Sequence, residues 1–219
     1  MSVGGRLPRA FFDRDAALVA PELLGKLLVV DGSRGPVAAR IVEVEAYRGG
    51  DDPGSHAYRG PTPRNRSMFG PPGRLYTYFI YGMHWCANVV CGPGAAPHAV
   101  LLRAAVPVEG LATMRARRPG ARRERDLLRG PGNLARAFGF DAASDGRSVV
   151  RGSVRIVDDA HPVGAVVVTT RVGLSRGRGD DLELRFAVGG DPHVSLPRRS
   201  GRTPRAPQEQ ANPESLRVG

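Results

Sequence analysis

The chain has 219 residues, of which 41% are hydrophobic, and this length and composition are typical of one domain with a sizeable core. Lysine and arginine number 32 against 21 aspartates and glutamates, so the formal net charge is +11 and the sequence pI is about 11.0. Such a charge favours a polyanionic partner. No stretch approaches the roughly 20 apolar residues of a transmembrane helix. The N-terminus lacks the apolar centre of a signal peptide, so we expect a cytoplasmic protein without membrane contacts.

The cysteine and lysine content excludes two kinds of chemistry. Cys86 and Cys91 have no second pair to complete a metal site, so we expect neither a disulfide scaffold nor a zinc or iron-sulfur site. Lys26 is the single lysine, so nearly all the positive charge is guanidinium, which binds phosphate in a bidentate way but is not an amine nucleophile. A GC-rich genome would account for part of the arginine bias, but not for the net charge.

The first elements in chain order are a helix, a pair of strands and a long loop. Helical spacing covers residues 11–24, and Pro21 is expected to kink this helix or to start a new turn. Apolar alternation predicts strands over 26–30 and 37–47, separated by a turn. Residues 48–74 are rich in Gly, Pro and Asp, and a loop of this length inside a compact domain is usually functional.

The remainder of the chain alternates strands and helices before a polar tail. The predicted elements are, in order, strands over 75–81, 84–91 and 99–108, helices over 109–118 and 125–138, and strands over 154–157, 163–171 and 182–188. The arginine-rich tail has almost no large apolar residues and is expected to be disordered. We therefore expect one globular domain over 1–196 and a disordered tail over 197–219.

The segment IVEVEAY at 41–47 concentrates carboxylates in a chain where acids are scarce. Side chains alternate between the two faces of a strand, so Ile41, Glu43, Glu45 and Tyr47 are expected to share one face while the intervening residues face the core. Carboxylates at the end of a strand and next to a long loop are suited to an active site. A solvated edge with surface glutamates is the alternative that this segment leaves open.

The segment RLYTYFIYGMHWCANVV at 74–90 concentrates aromatic residues, which are only 6% of the whole chain. Tyr76 and Tyr78 are expected to face one way and Phe79 and Tyr81 the other. Tyrosines on strands often line the edge of a core. In a basic protein, aromatic faces also suit stacking on nucleic-acid bases, which contributes about 1 to 3 kcal/mol per base.

Arg103 lies within the otherwise apolar run VLLRAAVPV at 100–108. A buried arginine requires a partner, so we expect Arg103 to meet Glu43, Glu45 or a bound phosphate. A purely structural ion pair is the alternative. The arginine-rich run at 115–125 has two interpretations as well, a solvated surface or a patch that faces phosphates.

Five motifs in a fixed order carry a resemblance to a known family. They are RIVEVEAY, DDPGSHAYRGPTPRNRSMFGPPGRLYTYFIYGMHWCANVV, VLLRAAVPVEG, GPGNLARAFG and RVGL. Together they resemble the motifs of the alkyladenine (3-methyladenine) DNA glycosylase family, the methylpurine type. The resemblance runs from residue 11 to about residue 195, and motifs of this length in this order are highly specific. It implies a single α+β domain with a curved, mainly antiparallel sheet and flanking helices.

The resemblance also implies roles for individual residues. Enzymes of this family flip a damaged purine out of the duplex and hydrolyse its N-glycosidic bond with a water that a glutamate activates. The positions in this sequence that match the family's functional residues are Glu45 and Arg103 for catalysis, Tyr47, His56, Tyr78 and Asn88 for the base pocket, and Tyr81 for the gap left in the DNA. The resemblance implies no metal and no organic cofactor.

The sequence therefore predicts a monomeric base-excision-repair enzyme that acts on alkylated or deaminated purines in double-stranded DNA. Two alternatives remain open at this point. A nucleic-acid-binding module without activity would keep the aromatic residues and the positive charge, but has no use for Glu45 beside Arg103. A bifunctional glycosylase-lyase would need an amine to form a Schiff base, and the chain has a single lysine, Lys26.

Overall fold

The fold, given by a computed structural model that describes residues 4–195, is one antiparallel sheet with short helices. Its strands, numbered β1 to β9, are Gly5–Arg6, Leu27–Val30, Val37–Tyr47, Leu75–Ile80, His84–Cys91, His98–Glu109, Val154–Asp158, Val166–Thr169 and Arg185–Val188. The strand order is β1-β7-β2-β3-β6-β5-β4, and β9 joins β3 to β8. All pairs are antiparallel, which confirms the predicted α+β domain. The predicted tail over 197–219 lies outside the described residues.

Strand β3 is the centre of the sheet because both of its edges are paired. One edge pairs with β6 over its whole length. The other edge pairs first with β2, over residues 37–40, and then with β9, over residues 43–45. The segment that carries the two glutamates is therefore held between two neighbouring strands, and the alternative of a solvated edge is wrong.

The predicted alternation along β3 is wrong at its start, because the register shifts on both sides of Glu43. Ile41 pairs with Ala105 and Glu43 pairs with Ala104, so Val42 is an extra residue on β3. Ile41 consequently packs in the main core together with Val44 instead of sharing the face of the glutamates.

The helix predicted over 11–24 is two helices, α1 at Arg9–Phe12 and α2 at Ala16–Leu23. The chain breaks between them because the Asp15 carboxylate accepts a hydrogen bond from the Ala17 N–H at 2.8 Å and so begins α2 anew. Pro21 lies in the last turn of α2, where it removes the N–H that would bond to the Ala17 carbonyl, and the helix ends two residues later at Leu23.

The second half of the chain has shorter elements than predicted. Helix α3 covers Leu111–Arg117, close to the prediction, but only Pro131–Phe138 of the predicted 125–138 is helical and forms α4. Pro131 begins α4 because its ring presets the first helical turn, whereas Glu124–Asp126 is a separate 3-10 turn. The strands predicted over 163–171 and 182–188 shorten to β8 and β9.

The long loop over 48–74 has a small hydrophobic cluster of its own. The main core lies between the sheet and the helices, and a second cluster forms where the loop meets the aromatic strand β4. Its buried members are Ala57, Met68, Tyr76, Val90 and Ala99. The loop is thus packed against β4, and this packing fixes the positions of its side chains.

Candidate active site

A cleft of about 1420 Å³ opens between the long loop, the central strands and the start of α4. The structure brings together at this cleft six of the seven predicted site residues, which are Tyr47, His56, Tyr78, Tyr81, Asn88 and Arg103. The seventh, Glu45, is fully buried directly behind the wall, in contact with Tyr47 and Arg103. The cleft therefore brings together predicted site residues that are far apart in the sequence, from Tyr47 to Arg103.

Aromatic side chains form one wall of the cleft. The rings of Tyr76 and Tyr78 stack with centroids 5.5 Å apart, and the His56 ring meets Tyr78 edge-on at 4.5 Å. Tyr47 lies at the end of β3 and also lines the cleft. Such a wall suits a flat, stacked ligand. From the sequence, Tyr76 was expected only to share a face with Tyr78, and its hydrogen bond to His56 was not predicted.

The His56 ring is fixed by a hydrogen bond of 2.9 Å between its Nδ1 and the Tyr76 hydroxyl. Burial and the nearby charge of Arg64 lower the pKa of His56 below its ordinary value of 6.5, so the ring is neutral at neutral pH. Burial raises the pKa of Tyr76, so the phenol keeps its proton. When the phenol donates its hydrogen bond to Nδ1, the neutral His56 ring carries its own hydrogen on Nε2.

Glu45 accepts hydrogen bonds from two parts of the cleft wall. Its Oε1 accepts from the Val172 N–H at 2.7 Å and lies 3.2 Å from Nη1 of Arg103. Its Oε2 accepts from the Tyr47 hydroxyl at 3.0 Å. Burial and the neighbouring Glu45 charge raise the pKa of Tyr47, so this hydroxyl stays protonated and remains a donor. Among the described residues Oε2 thus has a single donor, which leaves an acceptor position of this oxygen open.

Glu43 accepts more hydrogen bonds than Glu45 and contacts two arginines. It accepts from Arg103 Nε at 2.8 Å, Arg185 Nε at 2.8 Å, Ser195 N at 2.6 Å and Ser195 Oγ at 2.7 Å. Burial raises the pKa of Glu43, but the two arginines and Ser195 outweigh burial and hold it below its ordinary value. Glu43 is therefore a buried anion that orients Arg103. The prediction that Arg103 meets a glutamate is confirmed, because Arg103 contacts both Glu43 and Glu45.

Asn88 is buried on β5 and lines the cleft. Its Nδ2 donates to the Tyr76 carbonyl at 3.1 Å, directly across the β4–β5 pair. The amide is therefore held in one orientation, and Oδ1 is the atom left for a ligand.

Tyr81 lies at the tip of the β4–β5 hairpin, beside the mouth of the cleft. It is 75% exposed, and its backbone is in the left-handed region with φ of 55°. Met83, two residues later, is 68% exposed. A large exposed side chain held at a strained position is more consistent with a contact to a ligand than with core packing.

Part of the arginine-rich run at 115–125 has a structural role. Arg117 donates to the Ala137 carbonyl at 3.0 Å, and Arg118 donates to the carbonyls of Asp126 and Leu127. Arg122 and Arg123 are exposed. The interpretation of the run as a phosphate-facing patch stays a prediction for the exposed members alone.

Several site residues were missed by the sequence argument. Arg185 and Ser195 hold Glu43, and Arg171 with Asp52 lies behind Tyr47. The only advance indications were the RVGL motif, which begins at Arg171, and the scarcity of acids such as Asp52. Within residues 4–195 no group of three or more His, Cys, Asp or Glu side chains has the arrangement of a metal site. Over the same residues no helix has the length and apolar character needed to cross a membrane.

Comparisons with known proteins agree with this architecture. The sequence profile of the methylpurine-DNA glycosylase (MPG) family matches residues 10–192. The chain therefore belongs to the methylpurine-DNA glycosylase family. It is a DNA-repair enzyme of the hydrolase class, which acts on N-glycosyl bonds and has DNA as its substrate.

Bacterial relatives extend the match over nearly the whole chain. A protein of Burkholderia lata is 50% identical over 197 residues, which are 89% of this chain and 93% of the relative. A protein of Streptomyces avermitilis is 47% identical over 193 residues, 86% of this chain and 90% of the relative. A protein of Carboxydothermus hydrogenoformans is 42% identical over 191 residues, 86% of this chain and 98% of the relative. Each is provisionally named a 3-methyladenine DNA glycosylase.

Proposed function

We propose that this enzyme flips alkylated or deaminated purines out of double-stranded DNA and hydrolyses the N-glycosidic bond with a water that Glu45 activates. The substrates of this proposal are 3-methyladenine and 7-methylguanine, with hypoxanthine and ethenoadenine as further candidates. The observation that carries it is the position of Glu45, a buried carboxylate with an open acceptor position on Oε2, directly behind an aromatic cleft. The provisional names of the relatives support the choice of 3-methyladenine.

The proposed reaction needs one base and one site of charge stabilisation. The bond between C1′ and the purine nitrogen breaks, and its electron pair leaves with the base. The water oxygen bonds to C1′, and its proton passes to the Glu45 carboxylate. The negative charge of Glu45 also stabilises the oxocarbenium-like sugar, and a purine alkylated on a ring nitrogen leaves readily because it is already cationic. Arg103 holds Glu45 in place through its contact of 3.2 Å.

The pocket residues select the base in this proposal. Tyr47 and Tyr78 stack on its two faces, and a cationic base gains an attraction to their π electrons that a neutral base lacks. The Nε2–H of His56 donates to the edge of the base. Asn88, held by its bond to the Tyr76 carbonyl, excludes guanine because its side chain occupies the space that the exocyclic amine of guanine needs. A base that leaves the His56 N–H unpaired in the buried pocket loses about 1 to 3 kcal/mol, which is enough to discriminate between purines.

Tyr81 supports the extrusion step in this proposal. Its exposed ring at the hairpin tip would fill the gap that the flipped nucleotide leaves in the stack. One chain supplies every residue of the proposed site, so we propose that the enzyme acts as a monomer.

The test is a single-turnover excision assay on duplexes that each carry one lesion. The four lesions are 3-methyladenine, 7-methylguanine, hypoxanthine and ethenoadenine, and undamaged duplex is the control. The proposal predicts release of the free base from at least one alkylated purine and an intact abasic strand. Tight, salt-dependent binding with no base release from any lesion would contradict it and favour a binding module without activity.

A further inference from the structure

A buried ion pair lies directly behind the cleft wall that Tyr47 forms. The side chains of Arg171 and Asp52 are 0% and 1% exposed, and their bidentate contact includes Nη2 to Oδ1 at 2.7 Å. Burial raises the pKa of Asp52, but the hydrogen bonds and the charge of Arg171 outweigh burial and lower it. Both groups are therefore charged at neutral pH, although they lie in the interior.

The guanidinium of Arg171 joins three segments of the chain. Besides Asp52 in the long loop, it donates to the Ala46 carbonyl on β3 at 3.0 Å and to the Gly179 carbonyl at 3.1 Å. Gly54 and Gly179 leave room for this guanidinium. A Cβ added to Gly54 would lie 2.9 Å from Nη2 of Arg171, and a Cβ added to Gly179 would lie 2.6 Å from the same atom. The local backbone is thus built around this side chain.

The same guanidinium controls two contacts of the proposed site. Its central carbon lies 4.6 Å from the centre of the Tyr47 ring, so it supports the ring by a cation–π contact. The next residue, Val172, donates its backbone N–H to Glu45 at 2.7 Å. A shift of Arg171 would therefore move both a proposed stacking ring and a donor to the proposed base.

We propose that Arg171, held by Asp52, is a positioning residue that fixes the Tyr47 ring as one wall of the base pocket and fixes the Val172 N–H on Glu45. This inference rests on the proposed function. A buried ion pair adds little net stability compared with apolar side chains of the same volume, so the pair is better explained by geometry than by stability. Arginine is required because its flat fork meets Asp52, two carbonyls and a ring face together, whereas lysine offers a single point charge.

The test compares two substitutions at this pair with a matched control pair. Arg171→Lys keeps the charge and removes the fork, and Asp52→Asn keeps the shape and removes the anion. Arg40 and Asp159 form the control, because Arg40 likewise makes a bidentate contact, at 2.9 and 2.8 Å, and likewise donates to a carbonyl, that of Gly25. Arg40 does not line the cleft. Arg40→Lys should therefore leave lesion binding and excision unchanged.

Two duplexes separate an effect on the pocket from a general loss of structure. One carries 2′-fluoro-ethenoadenosine, whose glycosidic bond resists cleavage, and the other carries a tetrahydrofuran abasic site, which has no base to stack. Arg171→Lys and Asp52→Asn should weaken binding of the ethenoadenine duplex about tenfold, since one base stack is affected. Binding of the abasic duplex should change less than about twofold, because phosphate contacts dominate there. Thermal unfolding of each variant shows whether it is folded.

A double-variant cycle then tests whether Arg171 acts through Tyr47. In a Tyr47→Leu background, Arg171→Lys should cause no further loss of ethenoadenine binding, because no ring remains to be positioned. An additive loss would overturn the inference, as would an equal loss on both duplexes or no loss on either. If the parent enzyme excises no alkylated purine, the proposed function fails. If the parent is active and Arg171→Lys behaves like Arg40→Lys, the positioning role alone fails.

Discussion

Glu43 and Glu45 are both fully buried on the same strand, yet they have different numbers of partners. Glu43 accepts four hydrogen bonds from two arginines and Ser195. Glu45 accepts two hydrogen bonds and contacts one arginine, and its Oε2 has Tyr47 as its single donor among the described residues. Two guanidinium groups neutralise Glu43, whereas Glu45 contacts one arginine and hydrogen-bonds to Tyr47 of the cleft wall, so the two glutamates are assigned different roles: Glu43 orients Arg103, and Glu45 is the proposed base.

Tyr81→Ser is expected to slow excision from duplex DNA, because a small side chain cannot replace the extruded nucleotide in the stack. The loss should be smaller for the same lesion in a mispair, where extrusion costs less. Single-turnover rates on paired and mispaired lesions measure the difference. Equal rates for parent and variant on the fully paired lesion would show that Tyr81 has no part in extrusion.

Tyr76→Phe is expected to reduce hypoxanthine excision about threefold to tenfold, the range of one hydrogen bond. The variant removes the hydroxyl that holds Nδ1 of His56 at 2.9 Å, so the ring no longer presents Nε2–H in one orientation. The steady-state rate and its pH dependence are measured with the parent as the reference. An unchanged rate on hypoxanthine would mean that His56 does not depend on Tyr76 for its orientation.

We expect the enzyme to hydrolyse the glycosidic bond without cutting the strand. A lyase step requires an amine, and the single lysine, Lys26, is bound to Asp158 at 2.7 Å and does not line the cleft. Borohydride present during turnover should therefore trap no covalent complex between protein and DNA. Recovery of such a complex would show that an amine of the chain reaches the sugar.

The pair Arg40–Asp159 is expected to contribute to stability at neutral pH and to lose that contribution in acid. Hydrogen bonds from Arg40 lower the pKa of Asp159 from 3.8 to about 2. The pKa of Asp159 is lower in the folded protein than in the unfolded chain. The pair therefore contributes its full stability at a pH above the unfolded-state pKa, and this stability is lost as the pH falls through the folded-state pKa.

Urea unfolding measures this effect for the parent and for Asp159→Asn. The free energy of unfolding of the variant should be lower at about pH 5, and the difference should shrink towards about pH 2. A difference that does not depend on pH would exclude a charged Asp159 as its source. Excision at neutral pH should be the same in both proteins, since neither residue of the pair lines the cleft.

The sequence predicted most of the sheet because apolar alternation is a local property. Strands β2 to β6 match the predicted ranges to within two residues. The helices were predicted less well, since the cap at Asp15 and the start of α4 at Pro131 depend on single residues that interrupt a continuous helical pattern. The bulge at Val42 arises from pairing with β6, which a pattern within one strand does not contain.

The resemblance located the proposed site residues, but not the residues that hold them. Arg185 and Ser195 meet Glu43 from positions more than 140 residues away, and Arg171 meets Asp52 from 119 residues away. Contacts of this kind are set by the tertiary fold, and neither charge pattern nor spacing indicates them in a single sequence. Arg103 was the exception, because an isolated arginine in an apolar strand requires a buried anion.

The most direct test of the account is single-turnover excision by Glu45→Gln on a duplex with an alkylated purine. Glutamine keeps the size of the side chain and removes the negative charge, so the rate should fall by about 100-fold to 10,000-fold. Binding of lesion duplex and its steep salt dependence should be retained. Glu43→Gln is the matched control, and should instead lower stability by about 3 to 5 kcal/mol, since it leaves the buried Arg185 without its anion and removes one of the two anions that contact Arg103. Excision by Glu45→Gln at close to the parent rate would contradict the central claim and make Glu43 the next candidate.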